Sequence, residues 1–453
     1  MPLNLLTLPS RKLPGKFTLA FSAAMLAALS LPAMAATQQE LLEQKVDALA
    51  KQLEALQAEL KALKAEKAEA AAAPAAASPA ATAASDPSAQ PTRQDARAVA
   101  EHKEAFLSGY GEVNFSRYDH DASRTEATVR RAVFGIGYRF NDSTSFVSEF
   151  ETENTVVSAE DGGEFEVEQF YIDHRFNDYL STKVGLILIP IGYLNTAHEP
   201  TRYFGVERNN VETRIIPSTE REGGISLYGR TPFGLSYDVG LTTSFNLSNW
   251  DYASPEGAYS PLGSIHGELA NSRASDLAQY VSLNYDGITG VNFGGSVFTG
   301  EVGQNQNVGV TASPRFTLWE THARYTQGPL QLQTLYAHGG FSDTAALNLA
   351  NAGALTPIPK AYFGWLVQGA YRVWRAGDYA LTPFVRYERF NTGSDYAGQP
   401  PGFGAVDRPT ETAYTYGTSF FITPNLVLKA DYQQYRRAKE DNRFNLGVGL
   451  QFY

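Results

Sequence analysis

The chain contains no cysteine, which excludes a disulfide framework and any site built on thiolates. It has no run approaching the roughly 18 apolar residues of a membrane-spanning helix, although 43% of its 453 residues are hydrophobic. Lysine is scarce in the larger part: residues 105–453 hold only Lys183, Lys360, Lys429 and Lys439. With a formal net charge of −11, this balance argues against nucleic acid or anionic lipid headgroups as partners. Catalytic signatures are also missing. There is no G-x-S-x-G elbow and no H-x-x-x-H spacing, and the seven histidines are scattered at 102, 120, 174, 198, 266, 322 and 338. His198 beside Glu199, and His322 beside Glu320, come nearest to a dyad. Isolated histidines in loops and walls are usually only solvated or hydrogen bonded, so the expectation is no enzyme, no cofactor and no bound metal.

What the chain does have is alternation. From Phe106 to Tyr453 it repeats a segment of about ten residues, apolar alternating with polar or small, followed by a turn. Sixteen such segments can be counted. In the closing one, "FNLGVGLQFY", Phe444, Leu446, Val448, Leu450 and Phe452 share one face, while Asn445, Gly447, Gly449 and Gln451 share the other. An apolar outward face with a small or polar inward face is what a lipid-embedded, water-filled barrel requires, and a sheet survives in hydrocarbon only if it closes on itself. The abundant Tyr (25), Phe (26) and Gly (39) suit interfacial girdles and close strand packing. Every second connection is short and turn-like, such as Asn141-Asp142-Ser143 and Thr423-Pro424-Asn425, whereas 154–164, 191–222, 248–275, 340–360 and 391–409 are long. The expected fold is all-β: a 16-stranded antiparallel transmembrane β-barrel over 105–453. A soluble propeller or sandwich predicts no such strict alternation of long and short connections.

Three segments precede it. Arg11, Lys12 and Lys16, the apolar stretch Phe17 to Leu31 and the site Ala33-Met34-Ala35 read as an export signal over 1–35. Over 37–70, Leu42, Val46, Leu49, Leu53, Leu56, Leu60 and Leu63 follow a 4-3 spacing, the seam of a short coiled-coil helix. Residues 71–104, rich in Ala, Pro and Ser, read as a disordered linker. At 1.5 Å per residue the helix would be about 50 Å long, enough for spacing, trimer registration or a periplasmic or cell-wall contact.

Several barrel segments resemble the phosphate-selective porin O and P family: "VRRAVFGIGYRF" (129–140), "VEQFYIDHRF" (167–176), "TKVGLILIPIG" (182–192) and "IIPSTEREGGISLYGR" (215–230). The resemblance covers about 106–453 and is strongest over 129–230. It implies a trimeric, 16-stranded, water-filled channel in the outer membrane. Relatives line the inner wall with rows of Arg and Lys, and often carry Lys just before the "PIG" turn. Here that position is Ile189, a departure that argues against high phosphate selectivity.

The connection 191–222, the longest by this reading, is the expected pore-narrowing loop. It brings His198, Glu199, Arg202, Glu207, Arg208, Glu212 and Arg214 as constriction candidates, a mixed field of charge. If each strand's apolar set faces lipid, Arg139, Glu149, Glu151, Asp173, Arg175, Glu320, Arg324, Arg372, Arg386, Glu388, Lys429 and Asp431 face the lumen. The function expected is passive diffusion of small hydrophilic solutes or ions, anions among them, through a homotrimer in outer-membrane lipid. A tether between outer membrane and cell wall, or an outer-membrane hydrolase, are the competing classes.

Overall fold

The structure, a computed structural model, describes Lys51 and residues 105–154, 163–306, 313–350, 357–398 and 408–453. The export signal, the linker and, apart from the helical and exposed Lys51, the heptad seam lie outside the described residues.

Sixteen strands close into one antiparallel barrel. In chain order they are β1 Ala105–Tyr118, β2 Glu126–Asn141, β3 Thr144–Glu153, β4 Glu164–Arg175, β5 Ser181–Leu188, β6 Arg221–Arg230, β7 Leu235–Thr243 and β8 Leu277–Ile288. Then follow β9 Val291–Glu301, β10 Arg315–Gln327, β11 Leu330–Phe341, β12 Ala361–Tyr371, β13 Tyr379–Asp395, β14 Glu411–Thr423, β15 Leu426–Tyr435 and β16 Arg443–Phe452. Trp374–Ala376 continues β12 against the same partner strand. Each strand pairs with its sequence neighbours, and the seam is shut by β1 against β16, with Gly109 opposite Phe452 and Phe115 opposite Leu446. Closure leaves no edge whose backbone groups would need water.

Alternation sorts the two faces. Phe134, Ile136, Phe170, Val184 and Leu241 point out and are exposed, as is the whole ladder from Phe444 to Phe452. Among the register shifts, two β-bulges, on β2 and β4, bear on the interior. The register of β1 on β2 slips at Arg130, and that of β3 on β4 slips at Glu168. A bulge turns two successive side chains toward one face, so Arg130 and Arg131, and likewise Glu168 and Gln169, are all withdrawn from the outer surface.

Of the boundaries that differ from the sequence reading, two bear on the site. Strand β7 ends at Thr243 rather than Leu247, because Phe245 and Leu247 turn inward and are fully buried. Strand β6 starts at Arg221, which places Arg221 and Glu222 on the wall. The connection 189–220 is therefore not the longest; 244–276 is at least its equal. Nor is the interior polar throughout. Phe298, Phe316, Leu318 and Leu335 face inward on β9, β10 and β11, and form one buried cluster with Ile189, Ile191, Val211, Ile215 and Ile216 of the first long loop and Phe245, Leu262 and Ile265 of the second. Burying each such side chain stabilises by roughly 1.5–3 kcal/mol. That sector of wall is apolar because loops, not water, cover it.

Candidate functional site

The loop 189–220 folds into the barrel and is tied at its neck by one residue. Asn195 donates from Nδ2 to the carbonyls of Ile189 (2.6 Å) and Glu220 (2.7 Å), and its Oδ1 accepts from the Glu220 N–H (2.7 Å). The two ends also pair directly, Ile189 N–H to Glu220 O at 3.1 Å. Inside the loop Glu212 is a brace: its carboxylate accepts from the N–H groups of Tyr193 (2.5 Å) and Leu194 (2.7 Å) and from Asn209 Nδ2 (2.7 Å). Burial pushes the Glu212 carboxyl above its ordinary range, partly opposed by those donors.

The loop's seat is the far wall. The Val206 N–H donates to Asp431 on β15 (2.6 Å), and Asn210 donates to Glu388 on β13 through its N–H (2.6 Å) and its Nδ2 (3.1 Å). Arg386 holds the same carboxylate at 2.9 Å. Tyr203 donates to Glu112 on β1 (2.8 Å) and lies under the Lys429 ammonium, 3.7 Å from the ring centre. At the last strand Thr201 bonds Gln451 (2.5 Å) and Arg202 reaches the Tyr453 hydroxyl (3.3 Å). Glycines make this approach possible: a Cβ on Gly449 would stand 2.5 Å from Pro200, and one on Gly447 2.9 Å from Val206.

The constriction candidates divide by partner. Glu207 bonds Asn114 (3.2 Å) and stands 3.8 Å from Arg130; burial would raise its carboxyl, but Arg130, Arg443 and Arg131 outweigh burial and hold it below the ordinary range. Arg208 donates to the His198 carbonyl (3.2 Å), and Arg214 bonds Asn210 (3.2 Å) while stacking over Tyr259 (4.5 Å). Glu199 faces Arg202 at 3.9 Å rather than His198. His198, fully buried, meets Glu168 of β4 at 3.4 Å. The adjacency of His198 and Glu199 in sequence is therefore not a dyad in space; successive loop residues point opposite ways here.

Of the wall candidates, Glu149, Glu151, Asp173, Glu320, Arg386, Glu388, Lys429 and Asp431 are buried inside, and Arg324 lies over the Tyr193 ring at 4.3 Å. Glu320 pairs with His322 (2.8 Å), whose other nitrogen bonds Asn284 (2.7 Å). Asp173 accepts from Tyr228 (2.7 Å). Arg139, Arg175 and Arg372 sit at or beyond the short-turn ends of their strands, away from the loop. The sequence reading missed the most connected cation, Arg131, which contacts Glu112 (2.7 Å), Glu151 (3.4 Å) and Glu153 (3.5 Å). Its parity with Arg139 on one strand was the available signal. Glu168 could not be found that way, since its inward position comes from the bulge.

Above the loop lies a cavity of about 710 Å³, bordered by Arg130, Arg131, Arg208, Arg214, Arg221 and Arg443 and by Glu151, Glu153, Glu166, Glu207, Glu220 and Glu268. The second loop, 244–276, reaches across part of it. Tyr259 bonds Thr213 of the first loop (3.0 Å), and Tyr252 bonds Thr392 of β13 (2.5 Å). Mixed charge around water at a narrowing is an arrangement that can filter solutes by size and sign.

The chain resembles OmpF of Salmonella typhi, solved in complex with daunomycin, with a TM-score of 0.54 at 14% identity over 77% of this chain and 97% of that one. The fold is that of an outer-membrane porin. The porin fold also aligns with Pseudomonas putida OprB, at a TM-score of 0.49, 13% identity, 79% of this chain and 96% of that one. An uncharacterised protein of Aquifex aeolicus is 26% identical over 364 residues, covering 77% of this chain and 80% of its own. No family model matches the sequence.

Proposed function

We propose that this chain is an outer-membrane porin, a water-filled channel for passive diffusion of small hydrophilic solutes or ions, with no catalytic role. The observation that carries the reading is the loop 189–220 seated inside the barrel, its charged side chains bordering a cavity of about 710 Å³. An apolar outer wall around a polar, loop-narrowed interior suits a bilayer outside and water within. In the loop that forms the constriction, Arg202, Glu207, Arg208 and Arg214 carry the field, the buried His198, Glu199 and Glu212 hold the loop in place, and the wall charges facing it tune ion preference. The porin O and P likeness supports a homotrimer, with residues 1–35 removed on export and the helix of 37–70 on the periplasmic side. The scarcity of Lys in the barrel favours a general pore over a phosphate-selective one.

The test is reversal potential in a salt gradient across a planar bilayer. Wild type should conduct steadily, and replacing Arg202, Arg208 and Arg214 together by Gln should shift permeability toward cations, because the remaining glutamates then dominate a narrow, partly dehydrated passage. An unchanged reversal potential would place the loop outside the conduction path. A barrel that conducts nothing would favour the tether.

A further inference from the structure

We propose that Glu149, Glu168 and His198 form a divalent transition-metal site that staples the loop 189–220 to the wall. One carboxylate oxygen of each glutamate and one ring nitrogen of the histidine lie within 4.8 Å of one another, and all three residues are buried. Glu149 comes from β3, Glu168 from the bulge of β4 and His198 from the loop.

The hydrogen-bond arithmetic at His198 calls for positive charge between its ring and Glu168. Its Nδ1 is 3.1 Å from the Asn195 carbonyl. A carbonyl can only accept, so Nδ1 carries the ring proton, and Nε2 of the neutral ring presents a lone pair. That lone pair faces Glu168 Oε1 at 3.4 Å, and neither atom has a hydrogen-bond partner although the side chains are 0% exposed. Two electron-rich atoms buried against each other need positive charge between them, which a proton on Nε2 or a metal ion can supply, and the third donor, Glu149, within the same 4.8 Å favours the metal ion. A histidine that ligates a metal donates its other N–H to a carbonyl or carboxylate, as His198 does to Asn195. Outer support exists for the carboxylates too: Gln169 donates to Glu149, and Tyr110 donates to Glu168 at 3.5 Å.

One imidazole with two carboxylates suits Zn²⁺, Co²⁺ or Ni²⁺ better than Mg²⁺ or Ca²⁺, which prefer all-oxygen shells. Ligand atoms about 2.1 Å from a tetrahedral ion sit about 3.4 Å apart. His198 and Glu168 already stand at that spacing, so loading would draw Glu149 of β3 in toward them. The site is separate from conduction: it fastens the loop and transports nothing.

Full-length protein in detergent, stripped with EDTA and titrated with Co²⁺, tests the proposal. About one Co²⁺ per chain should bind with visible d–d absorption of a low-coordinate ion, displaced by Zn²⁺, and Zn²⁺ should raise the temperature of heat-modified migration. His198→Gln should weaken Co²⁺ binding by about 100-fold or more. Glu149→Gln, which keeps a polar group beside Gln169, should weaken it by about tenfold and carries the test if the histidine variant does not fold. Replacing the outlying His174 and His338 by Gln should change neither the stoichiometry nor the spectrum. Absence of a stoichiometric, coloured complex in wild type overturns the proposal, as does unchanged affinity in folded Glu149→Gln or His198→Gln. A purely imidazolium-carboxylate pair would give that result.

Discussion

His266 stands where the second long loop meets the wall, its Nδ1 3.0 Å from Glu268. Glu268 in turn faces Arg221 of β6 at 3.0 Å, and Arg221 reaches Glu166 at 2.6 Å. Burial opposes charging this imidazole, yet the hydrogen bond and charge of Glu268, helped by Glu220 and opposed by Arg221, push its pKa up to about 9. A raised folded-state value means the contribution is fully present below the unfolded value of about 6.5 and is lost as pH rises through about 9. Proteolysis within 244–276 should accordingly rise by about tenfold between about pH 7 and about pH 10. His266→Gln should already be cleaved faster at neutral pH and show a flat profile. A wild-type profile with no such rise would place the anchoring elsewhere. At this scale the sequence disclosed which charges share a strand face, as with Glu388 and Arg386, but not which partners they meet across the barrel. Those pairings depend on loop path and on bulges, and neither leaves a local signature in the chain.

Strands were the legible elements. Their period of two is set by which side chain meets lipid, and that preference is written residue by residue along β1 to β16. The exceptions include Phe298, Phe316 and Leu318 on β9 and β10, Leu335 on β11, Leu366 on β12 and Phe390 on β13, which face inward because two loops supply the apolar surroundings that lipid supplies outside. The loop 189–220 was legible as an element by its length and charge, not by its seat. That seat includes the flat strip of Gly447 and Gly449 on β16. Gly449→Leu would drive a branched side chain into Pro200, with the first added atom already at 2.5 Å, and overpacking of this kind costs roughly 1–3 kcal/mol. The barrel itself should persist, since the change faces inward. We expect normal heat-modifiable protein with an unseated loop, seen as a larger single-channel conductance. Wild-type conductance in this variant would show that the loop rests elsewhere.

For the whole molecule, closure hangs on the pairing of β1 with β16. Deleting Phe452 and Tyr453 removes the outward end of the terminal ladder and the pair Gly109 opposite Phe452. Insertion should fall to a small fraction of wild type, measured as heat-modifiable protein in the membrane; normal levels would mean the assembly signal lies earlier in the chain. The barrel class and strand number were legible because they follow from a count of alternating segments, whereas the inner architecture joins residues far apart in sequence. Those separations also impose an order in time. Thr201 meets Gln451 across 250 positions, Val206 meets Asp431 across 225, and Asn210 meets Glu388 across 178. Every one of these partners is synthesised long after the loop itself. Until the later strands arrive the loop has only its partners on β1 and β4, Glu112, Asn114 and Glu168, to rest on, and the far half of its seat is missing. The narrowing of the passage is thus among the last events of assembly, and a barrel caught before its seam shuts would be not a narrower pore but an unguarded one.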